Sequence, residues 1–450
     1  MFKASKIFKY SWELYVSRNV SVWHDTLHLI RSDSGYHHYK LGKMYVQFRI
    51  HRNLESDFYY ALTGSRSAED FIGRLEKNLE KKEYVDFLKK EYRKDCIKFL
   101  ARSKNLKSTT KSLKSFLNNY GYCNVLLDIT SRASKILTDK LMFDLKDNRK
   151  RDAIISYYAV PKQLAPIQKL EKEVAKLYHD KNLDKIAERL WKKYCWIPVS
   201  FVGEPWSKEY FLNLLKTANK KVLRISQKPR VKLSVNLKHL LWALSQITYL
   251  NEYRKSIFCQ VNLNIRPVLN EIAKRSGLKD WKEVSLLTHE ELILASDGKN
   301  FSKLVARRQK EIFAVHNIDS NQLQVVYGLP VKKFEDNFKI KNTNVSEFSG
   351  VVGNKGKIIG VVKIILKHSD FDKFKDGDIL VANMTSVDYL PIMKKAGAFV
   401  TDEGGLACHA AVVAREFNLP CIIGTKIATV VLKDGDIVDV DANNGIIRKI

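Results

Sequence analysis

One histidine, His409, stands in a setting that suits phosphoryl chemistry. It follows two adjacent glycines, Gly404 and Gly405, and it precedes an alanine- and valine-rich run that ends at Arg415. Paired glycines let a bulky anion approach the backbone, and the free N–H groups of a helix start suit a phosphate. An imidazole placed there can accept a phosphoryl group. The same pattern also fits a histidine that merely begins a core helix, because most isolated histidines have no chemistry.

The elements that must position this histidine can be read from the flanking residues. The segment 401–424 predicts a loop, a helix start, a short helix and a turn into a buried strand, with Asn418-Leu419-Pro420 closing the helix. Short strands are expected at residues 379–382, 398–400, 422–423, 429–432, 437–440 and 446–448. Strands that alternate with short helices indicate a compact α/β domain around His409.

The run GGLACHAAVVAR, residues 404–415, resembles the phosphohistidine signature of the PEP-utilising enzymes. This family includes PEP synthase, pyruvate phosphate dikinase, rifampicin phosphotransferase and enzyme I of the sugar phosphotransferase system. The flanking residues are similar too, so the resemblance covers roughly Phe348 to the C-terminus. Cys408 before the histidine is typical of the PEP-synthase-like branch. Ala407 departs from the pattern, because many members have Thr there, with a hydroxyl that contacts phosphate.

The resemblance implies a swivelling β/β/α mobile domain at residues 350–450. In such a domain His409 is transiently phosphorylated and carries the phosphoryl group from ATP or PEP to a pyruvate-like or other small-molecule acceptor. The histidine must be neutral to attack. The resemblance thus predicts a phosphotransferase component of the PEP-synthase type.

Four further residues are expected to bind the phosphoryl group. Backbone N–H groups around Gly404, Gly405 and Cys408 would hold its oxygens, and Arg415 would add positive charge. The alternative for Arg415 is an ion pair with Asp402 or Glu403, and the sequence favours neither reading.

Residues 1–330 are predicted to form one or more mainly helical domains, followed by a linker at residues 331–349. The N-terminus is included, because Trp12 and Leu14 sit on compatible helical spacing with their neighbours. The expected fold class is therefore α + α/β, with a mostly helical N-terminal region before the mobile domain. The helical region is a candidate for acceptor binding or for docking of a partner.

A long helix is predicted over residues 238–273, and it carries Arg254, Lys255 and Arg266. This region is similar to the helical acceptor domain that precedes the histidine domain in rifampicin-phosphotransferase-like relatives. The three cations are therefore candidate contacts for phosphate or substrate. The alternative is that each one lies on a solvated helix face.

The charge of the chain is strongly positive, at +29 over 450 residues. Residues 350–450 hold 13 Lys or Arg and 12 Asp or Glu, whereas residues 1–349 hold 65 and 37. The excess therefore lies outside the histidine domain. Such a field can steer nucleotides, nucleic acid or an acidic partner, although a generally lysine-rich composition explains it equally well.

Cysteine usage and hydropathy give no sign of a metal or a membrane. The six cysteines form no C-x-x-C pair and no grouping with zinc-ligand spacing. No apolar stretch reaches the length needed to span a bilayer, and the N-terminus lacks the pattern of a signal peptide. The expectation is a cytoplasmic protein that contacts no membrane and binds no metal or cofactor tightly.

Two pieces of a self-sufficient kinase are missing from the sequence. There is no ATP-grasp region with its glycine-rich phosphate loop, and no PEP-binding TIM barrel, which requires about 250 further residues. A separate ATP-grasp subunit that binds ATP and Mg²⁺ is therefore expected. Two other functions stay open: an idle binding or regulatory module that retains the fold, and a basic nucleic-acid-associated protein, which salt-dependent retention on nucleic acid would support.

Overall fold

The computed structural model describes residues 11–19, 22, 47–52, 55–63, 66–145, 151–159, 161–199, 203–216, 229–316, 323–336, 345–366, 368–385, 389–405 and 408–450. The chain divides into two compact units. The first lies within Met1–Ala133, Cys195–Trp206 and Tyr249–Phe338, and the second lies within Ser134–Tyr194, Ser207–Thr248 and Lys339–Ile450.

The first unit contains a sheet of five antiparallel strands in the order β1-β3-β2-β4-β5. Its strands are β1 Ser11–Asn19, β2 Gln47–Arg52, β3 Glu55–Thr63, β4 Phe313–His316 and β5 Gln324–Tyr327. Strands from both ends of this unit therefore meet in one sheet, since β2 pairs with β4 across more than 250 residues of sequence.

The predicted all-helical N-terminus is wrong for residues 11–19, 47–52 and 55–63, which form strands. Trp12, Leu14 and Val16 alternate with polar residues at a spacing of two, which is the period of a strand. Strand β1 pairs with the aromatic-rich strand β3, in which Tyr59 lies opposite Leu14. The helical reading failed because long-range pairing decided between two spacings that a short segment satisfies equally.

Helices fill the middle of the chain, as the sequence predicts. They are α1 Arg66–Leu79, α2 Lys82–Lys104, α3 Thr110–Asp144, α4 Arg151–Tyr158, α5 Pro166–Leu177, α6 Leu183–Tyr194, α7 Lys208–Lys216, α8 Val235–Arg275, α9 Trp281–Val284, α10 His289–Ser296, α11 Ser302–Lys310 and α12 Leu329–Asp336. The 41-residue α8 contains the predicted long helix and continues through Pro267.

Regular structure lies at both ends of the predicted linker, residues 331–349. Helix α12 occupies its beginning and strand Glu347–Ser349 its end, while residues 337–344 lie outside the described part of the chain. The unit that holds the expected domain 350–450 also holds helices α5, α6 and α7. The domain bounds drawn from the sequence stay a prediction.

The second unit is built on a sheet of eight strands in the order β6-β13-β12-β8-β9-β10-β11-β7. The strands are β6 Glu347–Ser349, β7 Val351–Asn354, β8 Lys357–Ile364, β9 Ile379–Ala382, β10 Ala398–Thr401, β11 Cys421–Ile423, β12 Ile437–Asp441 and β13 Ile446–Lys449. Strands β8 to β11 run parallel and their outer neighbours are antiparallel.

Both faces of the parallel strands are covered, so that every residue of β9 and β10 is buried. On one face Leu380 and Phe399 pack against helix α14, His409–Phe417, and helix α13, Leu390–Met393. On the other face Val381 and Val400 pack against β12 and helix α15, Ala428–Val431. The predicted strand at residues 429–432 is therefore wrong, because its apolar residues belong to this helix.

Candidate functional site

The site forms where the parallel strands β9 and β10 end side by side. Ala382 lies opposite Thr401, the last residue of each strand. The ladder continues beyond them, because the Asp402 N–H donates to the Ala382 carbonyl at 3.1 Å and the Glu403 N–H donates to the Asn383 carbonyl at 2.8 Å. The carboxyl ends of adjacent parallel strands are a common place for ligand sites in α/β folds.

His409 is the first residue of helix α14, as predicted. Cys408 is the residue before the helix, with extended backbone angles and no side-chain hydrogen bond to the helix. The Cys408 N–H instead donates to the Gly405 carbonyl at 2.8 Å. The N–H groups of the first helical turn lack acceptors within the helix, and with the helix dipole they favour an anion beside His409.

The ring of His409 is held by a residue that sequence reasoning missed. Thr385 Oγ1 lies 2.9 Å from His409 Nδ1, and Thr385 itself is buried. His409 is partly exposed, while its Nε2 atom is shielded from solvent. The available signal for Thr385 was its place just after β9, the strand that runs beside the one leading to the glycines.

Two different environments surround the adjacent glycines. Gly404 has φ of +122°, and a Cβ built there would lie 2.8 Å from Cys408 Sγ, so glycine is required by both backbone and packing. At Gly405, no atom of the described residues beyond its chain neighbours lies within 4 Å of such a Cβ. Both glycines are exposed, so open space lies at Gly405, four residues before His409.

A buried polar network fixes the chain just before the glycines. Asp402 Oδ1 accepts a hydrogen bond from the Thr425 hydroxyl at 2.8 Å, and its carboxylate also accepts from the backbone N–H and hydroxyl of Thr429. Burial raises the pKa of Asp402, although these hydrogen bonds oppose that shift. The network ties the loop that carries Gly404 to the start of helix α15.

Arg415 lies in the last turn of helix α14, and its Nε donates to the Gly353 carbonyl of β7 at 3.1 Å. The carboxylate of Asp402 bonds the two threonines, and the alternative ion pair of Arg415 with Asp402 or Glu403 stays a prediction. The bond to Gly353 holds helix α14 against β7. A phosphate contact by Arg415 stays a prediction.

The three cations predicted on the long helix lie in the first unit, on the part of α8 after residue 248. Arg254 is buried, and its Nη2 donates to Asn251 Oδ1 at 3.1 Å. Lys255 pairs with Glu252 at 2.8 Å. Substrate contacts by these two residues stay predictions.

Arg266 makes the most extensive contacts of the three. Its guanidinium lies 4.0 Å from the centroid of the Trp281 ring, pairs with Glu204 at 3.0 Å, and donates to the Gly203 carbonyl. Burial lowers its pKa, which Glu204 opposes. These contacts pin the loop before Trp206 to helix α8, so binding of a phosphate by Arg266 would require Glu204 to move.

The described residues contain no cluster of three or more His, Cys, Asp or Glu side chains that could hold a metal ion. None of the helices that the structure describes is long and apolar enough to cross a membrane. Ala407, which replaces the usual Thr, lies outside the described residues.

Comparison with known proteins gives matches to part of the chain. Residues 374–445 match the family model described as "PEP-utilising enzyme, mobile domain". The chain is 41% identical over 137 residues to a probable phosphoenolpyruvate synthase of Archaeoglobus fulgidus, covering 29% of this chain and 18% of the relative. It is 36% identical over 188 residues to phosphoenolpyruvate synthase of Pyrococcus furiosus, covering 40% and 23%.

A third relative is the uncharacterized phosphotransferase YvkC of Bacillus subtilis, 30% identical over 220 residues, which cover 45% of this chain and 26% of the relative. That match is longer than the 72 residues of the family model, so the similarity extends beyond the mobile domain. Among solved structures, Thermococcus kodakaraensis aconitase X is 21% identical over 23% of this chain and 98% of its own, with a TM-score of 0.19.

These matches account for about a fifth to a quarter of the length of the three relatives. The family-model match, residues 374–445, contains Gly404, Gly405 and the helix that His409 begins. Residues 374–445 of this chain are a mobile domain of the PEP-utilising enzyme family.

Proposed function

We propose that this chain is a phosphotransferase component in which His409 is transiently phosphorylated. It takes the phosphoryl group from ATP or PEP bound elsewhere and delivers it to a small-molecule acceptor, such as a pyruvate-like acid. The observation that carries the proposal is the His409 imidazole at the start of helix α14, with Nδ1 held by Thr385 and the glycine loop beside it.

The contact to Thr385 selects the reacting nitrogen. If Nδ1 carries the proton and donates it to Thr385 Oγ1, the neutral ring has its lone pair on Nε2. Nε2 then attacks the phosphorus of the donor, a P–N bond forms, and the bond from phosphorus to the leaving oxygen breaks. Because Nε2 is shielded from solvent, the ring or its surroundings must shift when the donor arrives.

The main chain supplies the stabilisation of the transferred group. The first-turn N–H groups of α14 and the open backbone at Gly405 can hold the phosphoryl oxygens near Nε2. Because no side chain of the described residues lies against Gly405, a donor can enter there, whereas Gly404 serves to shape the loop. This division of roles assigns Gly405 to binding and Gly404 to conformation.

The donor site is placed outside these 450 residues, on an ATP-grasp subunit that binds ATP and Mg²⁺. In the two relatives named phosphoenolpyruvate synthase, the parts that match this chain make up 18% and 23% of the length. The two sheets among the described residues are a five-stranded antiparallel sheet and an eight-stranded mixed sheet, neither of which is a parallel TIM barrel. The proposal is therefore a carrier that works with a separate donor protein.

The experiment is incubation of the chain with PEP, or with ATP labelled in its β- and γ-phosphates, alone and with a candidate ATP-grasp protein. Acid-labile label that disappears in His409→Ala supports the proposal, because phosphohistidine hydrolyses in acid. Label that persists in His409→Ala, or label that is stable to acid, excludes His409 as the carrier.

A further inference from the structure

Helix α5, which precedes the mobile domain by some 200 residues, packs on that domain within the second unit. Ile167 contacts the apolar core that α14 forms with β9 and β10. Gln168 Nε2 donates to Glu416 Oε1, in the last turn of α14, at 2.9 Å. The same amide accepts from the Ala165 N–H through its Oε1 at 3.1 Å, so the Gln168 side chain is held at both ends.

A second carboxyl group lies close to this contact. Glu171, one helical turn after Gln168, interacts electrostatically with Glu416, and both side chains are partly buried. Burial, and then the charge of Glu416, raises the pKa of Glu171 to about 7, which Lys394 opposes. Burial also raises the pKa of Glu416, against the effects of Gln168 and Arg415.

Glu171 and Glu416 repel each other when both are ionised, and Lys394 is the cation that opposes this repulsion at Glu171. Glu416 faces Glu171 from α14, Lys394 from the end of α13, and Tyr210 from α7. Glu171 and burial together raise the pKa of Tyr210, with burial the larger cause, so the phenol stays neutral near pH 7. Two like charges that share a partly buried site favour retention of one proton between them.

We propose that α5 and α14 form a proton-dependent clasp, in which Gln168, Glu171 and Glu416 hold α5 on the mobile domain when a carboxyl is protonated. Ionisation of both carboxyl groups places two negative charges in the contact and opens the clasp. Opening would free the mobile domain, which carries His409 on α14, to move between donor and acceptor. This consequence rests on the proposed function. The clasp itself does not, because it involves neither donor nor acceptor.

The direction of the pH dependence follows from the raised pKa. In the closed clasp Glu171 titrates at about 7, and in the open state it returns towards 4.5. The closing equilibrium is therefore most favourable below pH 4.5. It becomes less favourable as the pH rises from 4.5 to about 7, and it is constant above that. The full shift corresponds to a change of about 300-fold in the closing equilibrium. Partial exposure screens the charges, so we expect about tenfold between pH 5 and 7.5.

Hydrogen exchange of peptides covering Pro166–Leu177 and His409–Leu419, corrected for the intrinsic rates, measures the opening. We expect protection about tenfold higher at pH 5 than at pH 7.5 in the full chain. In Glu171→Gln, which keeps the shape and the Gln168 contact, protection is expected to stay at the closed level at both pH values. In Glu416→Gln the pH dependence should weaken, because this variant removes the charge repulsion but leaves the larger effect of burial on Glu171.

Glu173→Gln is the matched control, because Glu173 lies on the same helix but accepts from Lys193 and Tyr194 of α6. It should keep the wild-type pH dependence, as should His409→Ala. Equal protection at both pH values in the wild type overturns the clasp. A pH dependence that survives in Glu171→Gln overturns it as well. Neither result bears on phosphorylation of His409, which is measured separately.

Discussion

Thr385 Oγ1 lies 2.9 Å from Nδ1 of His409, joining the end of strand β9 to the start of helix α14. The two residues are 24 positions apart, and both are placed by elements that pack on the same apolar core. A hydrogen bond to one ring nitrogen fixes the tautomer and the direction of the other. When Nδ1 donates in this contact, Nε2 carries the lone pair, and it is the nitrogen assigned to react in the proposed function.

Removal of the Thr385 hydroxyl should slow phosphorylation of His409. Thr385→Val keeps the shape but loses the hydrogen bond, and we expect a rate about tenfold lower, which corresponds to about 1.4 kcal/mol. Thr385→Ser retains the hydroxyl and should react at close to the wild-type rate. The rates are compared by quenched-flow labelling, and equal rates for Thr385→Val and the wild type would contradict the assignment of Nε2.

The two glycines should respond differently to alanine. Gly404→Ala forces an L-residue to a φ of +122° and brings its Cβ against Cys408, so we expect a loss of about 1–3 kcal/mol in the free energy of unfolding. Gly405→Ala meets no neighbour in the described part of the chain and should leave stability within about 0.5 kcal/mol. Denaturant unfolding measures both variants.

Phosphorylation adds a second comparison between these variants. The methyl group of Gly405→Ala occupies the space assigned to the phosphoryl group, so its labelling should fall while its stability does not. A Gly405→Ala protein that labels like the wild type would remove Gly405 from the binding surface.

The sequence predicted the second unit better than the first, for a physical reason. Around His409 the order of short apolar strands, glycine loop and helix is local. The helix ends at Asn418, as expected, and Asn418 takes the left-handed conformation. The N-terminal strands depend on pairing of Phe48 with His316, a contact that no local pattern contains. Thr385 was missed because its role appears only when β9 and β10 lie side by side.

Arg308 is fully buried, and Glu291 supplies the counter-charge of its guanidinium. Its Nη1 and Nη2 donate to the two carboxylate oxygens at 2.5 and 2.9 Å, its Nη1 also donates to the Leu286 carbonyl, and its Nε donates to Tyr327. Glu291→Gln leaves the guanidinium without a counter-charge, so we expect a loss of about 3–5 kcal/mol in stability.

Glu290→Gln is the control for this ion pair, because Glu290 is the exposed neighbour on the same helix. Glutamine at position 291 can still cap the helix through Thr288, so loss of the cap does not explain the effect. Thermal unfolding that is equal in the two variants would show that the ion pair contributes little.

The cysteines near the site should differ in reactivity. Burial raises the pKa of Cys421 well above its ordinary value, so at pH 8 it stays a thiol and should resist alkylation until the protein unfolds. Cys408 is partly exposed at the start of α14 and should react faster in the native protein. Mass spectrometry after timed exposure to iodoacetamide gives both rates, and faster modification of Cys421 would contradict this packing.

Mapping of the phosphorylated residue by mass spectrometry at alkaline pH tests the role of His409 most directly. The chain is treated with phosphoramidate, a small donor that phosphorylates histidine without a partner, and with PEP or ATP in the presence of the ATP-grasp protein. We predict one acid-labile phosphoryl group on His409 with each productive donor, and none at that position in His409→Ala. Phosphate that accumulates on other histidines while His409 stays unmodified would contradict the account.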